Sequence, residues 1–149
     1  VKQAIQIALA NSKEMEGFRE KVYKDTNGHD TIGFGFRIDF LKMCKPVAEL
    51  QLYYDLNEYD DELKDEFQWY REKPPVIRAL LMEMLHNMGM GGLKKFKNTL
   101  KYIEHNEWDK ASVEILSNPQ RKHGKSLIYY EDPRRAMHYS NLIKQAKEL

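Results

Sequence analysis

The chain has 149 residues, close to the ~150 of one ordinary domain. Its 24 Lys and Arg against 23 Asp and Glu leave a net charge of +1, which excludes the strongly basic balance of a nucleic-acid-binding module. With 42% hydrophobic and 11% aromatic residues it carries enough apolar side chain for a core and is no disordered tail, while a lone Cys44 excludes an internal disulfide or a zinc knuckle and is expected as a buried thiol.

From Lys2 to about Met15, Ile5, Ala8, Leu9 and Met15 recur near helical spacing, and Gly17 stands where a helix ends. Such a helix delivers Glu16 at its terminus. Between Lys21 and Arg37 the texture turns β-rich, with Val22, Tyr23, Thr31, Ile32, Phe34 and Phe36 around the turn residues Asp25-Thr26-Asn27-Gly28. Pro46 suits the first turn of a helix, and Leu52, Leu56, Tyr59, Leu63 and Phe67 carry that helix to about Tyr70. Its outer face is acidic, with Asp55, Glu58, Asp60, Asp61, Glu62, Asp65 and Glu66 around Lys64. A solvated helix face fits this pattern better than a calcium site, because helical spacing does not wrap carboxylates around one ion. After Pro74-Pro75, helical patterns occupy about 75–88, 94–105, 107–117 and 133–148.

The expected class is therefore α+β, with strands and helices segregated along the chain. We expect one domain over 1–149: a small β lobe at about 16–45, a connecting helix at about 46–70, and a helical lobe at about 71–149 joined by helix 2–15, with a cleft between the lobes.

The densest stretch in polar chemistry runs from Glu16 to Gly35. It offers a carboxyl at a helix end, a second carboxyl at Asp25 and a hydroxyl at Thr31. Two carboxyls flanking a bond are the minimum kit for glycoside hydrolysis, one protonating the leaving oxygen and one activating water. Spacing alone leaves the bland alternative open, with Glu16 on the surface, Asp25 as a turn former and Thr31 as a β-branched strand residue.

The residues Glu16-Gly17, Tyr23-Lys24-Asp25, Gly28 and Thr31-Ile32-Gly33-Phe34-Gly35 resemble, position by position, the signature of the phage-type lysozymes. Downstream, Asn87-Met88-Gly89, Phe96 with Thr99-Leu100, Glu107-Trp108-Asp109-Lys110-Ala111 and Arg134-Arg135-Ala136 are similar to later segments of that family. The resemblance implies a lysozyme-like fold and a peptidoglycan hydrolase that cleaves the β-1,4 bond between N-acetylmuramic acid and N-acetylglucosamine with inversion. It implies Glu16 as general acid, with Asp25 and Thr31 holding the water. Such an acid needs its pKa lifted above the ~4.3 of free Glu by partial burial.

The implied substrate-binding residues are Gly35, Phe36, His86, Asn87 and Thr99. Gly33-Phe34-Gly35 reads as backbone left bare for close approach of sugar, and Phe36 stands where the family often has His. His86 offers a sugar contact, but on general grounds a packed or surface histidine is the favoured reading. The implied partner is the peptidoglycan glycan strand, engaged by a monomer that needs no cofactor, binds no nucleic acid and makes no stable membrane insertion. No run approaches ~18 apolar residues and the first residues lack a signal-peptide pattern, so the expectation is synthesis in a bacterial host cytoplasm and action on the wall after release. Two rival readings are a lytic transglycosylase, which keeps the acid Glu, and a catalytically silent wall- or partner-binding module of the same fold.

Other features carry weaker signals. His29 is expected as an exposed turn residue. His105, His123 and His138 form no pattern of metal ligands. Lys94, Lys95, Lys97 and Lys101 make a basic face that reads first as solvated surface, with attraction of anionic polymers of a cell envelope as the alternative. Arg121, Lys122, His123 and Lys125, with Tyr129 and Tyr130, fill a segment at 118–133 that looks longer than its counterpart in the family.

Overall fold

The structure is a computed structural model that describes residues 2–117 and 131–148. Among these there are six α-helices and one three-stranded antiparallel sheet, the expected α+β class. The backbone groups into two compact units, Val1–Ala48 and Glu49–Leu149, so that the first helix belongs with the sheet.

In the first unit, α1 spans Lys2–Glu16. It stops because Gly17 takes φ +65° and donates its N–H to the Lys13 carbonyl at 3.1 Å, a left-handed cap that a side chain at that position would disfavour. The sheet follows as β1 (Arg19–Lys24), β2 (Asp30–Gly33) and β3 (Phe36–Arg37), in the order β1-β2-β3. Tyr23 pairs with Thr31 and Lys24 with Asp30, while Thr31 and Ile32 pair on their other side with Arg37 and Phe36. Thr31 thus sits on the central strand and is 2% exposed. The turn between β3 and β2 is tied to the end of α1 by the Phe18 and Phe34 rings, 5.3 Å apart, and by the Lys13 ammonium, 5.7 Å from the Phe34 ring.

The second unit takes up α2 (Lys45–Glu66), whose first residues close the first unit. This helix ends four residues before the expected Tyr70. The reason lies in a contact that a continuous helix forbids: the Tyr70 hydroxyl donates to Asp60 Oδ1 at 2.7 Å, yet residues ten apart on one helix stand ~15 Å apart. The chain leaves the helix, turns through Phe67 and Trp69, and folds Tyr70 back into full burial. Helices α3 (Pro75–Leu93), α4 (Lys97–Glu104), α5 (Trp108–Glu114) and α6 (Pro133–Gln145) follow. Pro75 occupies the first helical turn of α3, where its missing N–H is harmless.

The core of this unit is built from Leu63, Ile77, Leu80, Leu81, Ile103 and Ile143, all fully buried. Among its buried polar groups, the Ser140 hydroxyl donates to the Ser112 carbonyl at 2.7 Å, whereas Arg78 Nε is buried with no hydrogen-bond partner among the described residues. Lys73, 5% exposed, donates to the Glu104 carbonyl at 2.6 Å and to Asn106 Oδ1 at 2.8 Å. Its ammonium also lies 5.5 Å from the Trp69 ring and 5.9 Å from the Trp108 ring, and burial draws its pKa below the usual lysine range.

Cys44 corrects one expectation. It is exposed, because it stands just ahead of α2, where its carbonyl accepts the Ala48 N–H at 3.0 Å, outside any packed face. Among the described residues no helix is long and apolar enough to cross a membrane.

Candidate active site

The site is organised by the hairpin turn that joins β1 to β2. The Asp25 carbonyl accepts the Gly28 N–H at 3.0 Å, Gly28 takes φ +82°, and the Asp25 N–H donates to the His29 carbonyl at 3.0 Å. This is a tight turn closed by a left-handed glycine. It curls the backbone N–H groups of Asn27 and His29 onto one Asp25 oxygen, Oδ1, at 2.9 and 2.8 Å. The other oxygen, Oδ2, lies 3.3 Å from His29 Nδ1.

These contacts hold the Asp25 pKa below the ordinary aspartate value. The His29 backbone N–H is the largest cause; desolvation opposes it, and the Asn27 N–H and the His29 ring add to it. Asp25 is therefore a fixed carboxylate near neutral pH, and its side chain keeps 24% of its surface exposed. The Thr31 hydroxyl donates to the His29 carbonyl at 3.2 Å. One residue, His29, thus ties Asp25 to Thr31 through its N–H, its ring and its carbonyl.

His29 is a correction as well as an addition, since the turn was expected to leave it in solvent. It is half-buried. A carboxylate that accepts the N–H groups two and four residues ahead is the signature of an Asx-type turn, and that spacing was the available signal.

Glu16 reaches the same unit from the end of α1. A Cβ built on Gly35, at φ +75°, would lie 2.6 Å from Glu16 Oε2 and 2.9 Å from Glu16 Cδ. The Glu16 carboxyl therefore rests directly over bare Gly35 backbone. Glu16 itself is exposed, so the surrounding side chains do not give it the partial burial expected of a general acid. Gly33, at φ +67°, leaves room for the Phe36 ring, whose nearest atom would stand 3.1 Å from a Cβ there. Phe36 is 52% exposed beside it.

A family model described as phage lysozyme matches residues 13–136, a span that contains all of these groups. The chain belongs to the phage lysozyme family. As a phage lysozyme it has a lysozyme-like fold and is a peptidoglycan hydrolase.

The helical unit of this lysozyme holds a groove of about 640 Å³ in which His86 and Asn87 of α3 face Arg134, Arg135 and His138 of α6. His138 Nε2 lies 2.8 Å from Glu83 Oε2, and Asp132 caps α6 by accepting the Arg135 N–H at 3.0 Å. The His86 ring packs 5.8 Å from the Tyr59 ring while remaining exposed. Thr99 is in neither place: it is 2% exposed on the core face of α4, beside Leu100 and Ile103. Among the described residues no group of three or more His, Cys, Asp or Glu gathers to hold a metal ion. The basic and tyrosine residues of the 118–133 segment, from Arg121 to Tyr130, lie outside the described residues.

Proposed function

We propose that this lysozyme hydrolyses the β-1,4 bond between N-acetylmuramic acid and N-acetylglucosamine with inversion, and so lyses bacterial walls. Glu16 donates the proton to the leaving oxygen. Asp25 accepts a proton from the attacking water, and the Thr31 hydroxyl helps to hold that water. The observation that carries this reading is the contrast between two carboxyls in one small unit. Asp25 is fixed as an anion by two backbone N–H groups and tied to Thr31, whereas Glu16 has no hydrogen-bond donor among the described residues and rests on bare glycine backbone. That division of environments suits a base and an acid respectively.

Glu16 is exposed, and in the proposed complex the bound glycan covers it and excludes water from the reacting groups. Gly35 lets a sugar approach Glu16 without a side chain between them, and Phe36 offers a flat apolar face at its edge. His86 and Asn87 bring hydrogen-bonding groups for hydroxyl and acetamido substituents. Thr99, enclosed by its core neighbours, supports the helix that carries Lys97 and Lys101.

Digestion of purified sacculi tests the chemistry. Reducing ends with the α configuration in freshly released products, followed by NMR, are expected from inversion of a β bond. Anhydro-sugar ends would instead identify a transglycosylase, and β ends a retaining mechanism.

A further inference from the structure

A second groove, of about 620 Å³, lies in the helical unit between the turn after α2 and the outer side of α4. Its floor is aromatic and apolar. The Phe67 and Trp69 rings stand 5.0 Å apart with 30° between their planes, both half-buried, next to Leu100. Lys97 and Lys101, one helical turn apart on α4, edge this floor; both are exposed and neither has a partner among the described residues. Of the other groups at the rim, Lys94 pairs with Glu66 at 2.7 Å, while Glu104 and His105 stand exposed at the far end of α4.

The floor is held in place from beneath. The same Lys73 ammonium that sits 5.5 Å from the Trp69 ring is anchored to the end of α4 through the Glu104 carbonyl and to Asn106. Trp69 is thereby backed by an anchored cation, and a preorganised aromatic face loses less ordering entropy on binding. Aromatic faces carry negative potential and so match the C–H faces of pyranose rings, while two unpaired ammonium groups at one edge select a ligand with carboxylates on that side. Peptidoglycan combines both features, since its sugars carry stem peptides that end in carboxylates.

We infer that this groove is a second peptidoglycan site, in which Phe67 and Trp69 seat a sugar of the glycan strand and Lys97 and Lys101 take the carboxylates of its stem peptide. The inference rests on the lysozyme reading only in naming peptidoglycan as the polymer. The groove uses none of the residues proposed for catalysis, so it anchors the enzyme to the wall independently of cleavage.

The test is sedimentation of the protein with sacculi on ice, in three preparations: native sacculi, sacculi stripped of phosphate polymers, and stripped sacculi whose carboxylates are amidated. Lys97→Gln combined with Lys101→Gln is expected to weaken binding to stripped sacculi about fivefold, the scale of two exposed charge contacts, and to flatten its salt dependence. Trp69→Leu is expected to weaken binding while leaving the salt dependence unchanged. If Trp69→Leu melts early, the double lysine variant, confined to exposed helix surface, decides alone.

Amidation should bring native binding down to the level of the double variant. All variants should cleave a short uncharged soluble glycan at the native rate. Unchanged binding in the double variant, or insensitivity to amidation, overturns the inference. Loss of binding on stripping alone also overturns it and assigns the lysines to a phosphate polymer. Failure of the native protein to cleave the short glycan would refute the catalytic reading and leave the binding comparison intact.

Discussion

Gly35→Ala separates a structural role of the β turn from its role beneath Glu16. The new Cβ would stand 2.6 Å from Glu16 Oε2, about 0.8 Å inside ordinary van der Waals contact at 3.4 Å. A carboxyl on a flexible side chain yields more readily than backbone, so the Glu16 head group turns away. The backbone also holds a left-handed φ of +75°, which costs an L-residue about 1–2 kcal/mol. For a chain of this size that corresponds to a fall in Tm of about 2–8 °C, small enough to leave the protein folded at 25 °C.

Displacing a reacting group by that distance has a larger effect on catalysis, about 10²-fold. Gly89→Ala is a control for backbone strain without a clash, because Gly89 has φ +66° and ψ 172°, a conformation kept almost wholly to glycine, with nothing within 4 Å of the would-be Cβ. Thermal melts and turbidity clearing of purified walls would be run on both variants. A fall in Tm in both variants, at least as large in Gly89→Ala, with clearing reduced about 10²-fold only in Gly35→Ala is expected. Equal clearing by the two variants would refute the placement of Glu16 over Gly35 as a catalytic arrangement.

Asp25→Asn should alter the acid limb of stability as well as activity. With its folded pKa held below 3.8, Asp25 contributes stability that is fully present above that value and is lost as pH falls through the folded pKa. The variant's Tm should therefore decline less than the native protein's below about pH 4, with clearing lost at every pH; superimposable acid limbs would contradict this. Thr31→Val removes the hydroxyl that bonds the His29 carbonyl while keeping the shape of the strand residue. It should lower Tm by the equivalent of about 1 kcal/mol but reduce turnover about 10²-fold, and a purely proportional loss would make Thr31 structural. Tyr70→Phe should leave turnover unchanged and lower stability by about 1 kcal/mol, since it deletes the bond to Asp60; an unchanged melt would show that this bond does not hold the turn after α2.

The stretch proposed as catalytic was legible in the sequence because its geometry is local. Asp25-Thr26-Asn27-Gly28 reads as a turn on residue chemistry alone, and the structure builds that turn with the glycine in the left-handed position it suggests. Glu16 before Gly17 reads as a helix end for the same reason. The part played by His29 was hidden, because it acts mainly through its backbone, which residue identity does not reveal. The end of α2 was hidden too. The apolar period continues past Glu66, and only the long-range bond from Tyr70 to Asp60 requires the break.

Thr99 shows a different difficulty. Its place in a family-like segment suggested a ligand contact, whereas the helical period it shares with Leu100 and Ile103 already marked a core face, and burial follows the period. The groove around Trp69 needed the turn after α2 and the face of α4 to be brought together, which no window of sequence displays.

The most direct measurement is turbidity clearing of purified cell walls by Glu16→Gln beside the native protein, with circular dichroism and a thermal melt on both. The amide is close in shape to the carboxyl but has no acidic proton to transfer to the leaving oxygen, and general acid catalysis contributes about 10²–10⁴-fold. The expected result is an unchanged spectrum and a near-native melt, with clearing reduced by at least that range. Near-native clearing by a folded Glu16→Gln protein would contradict the assignment of the acid, and with it the proposed mechanism.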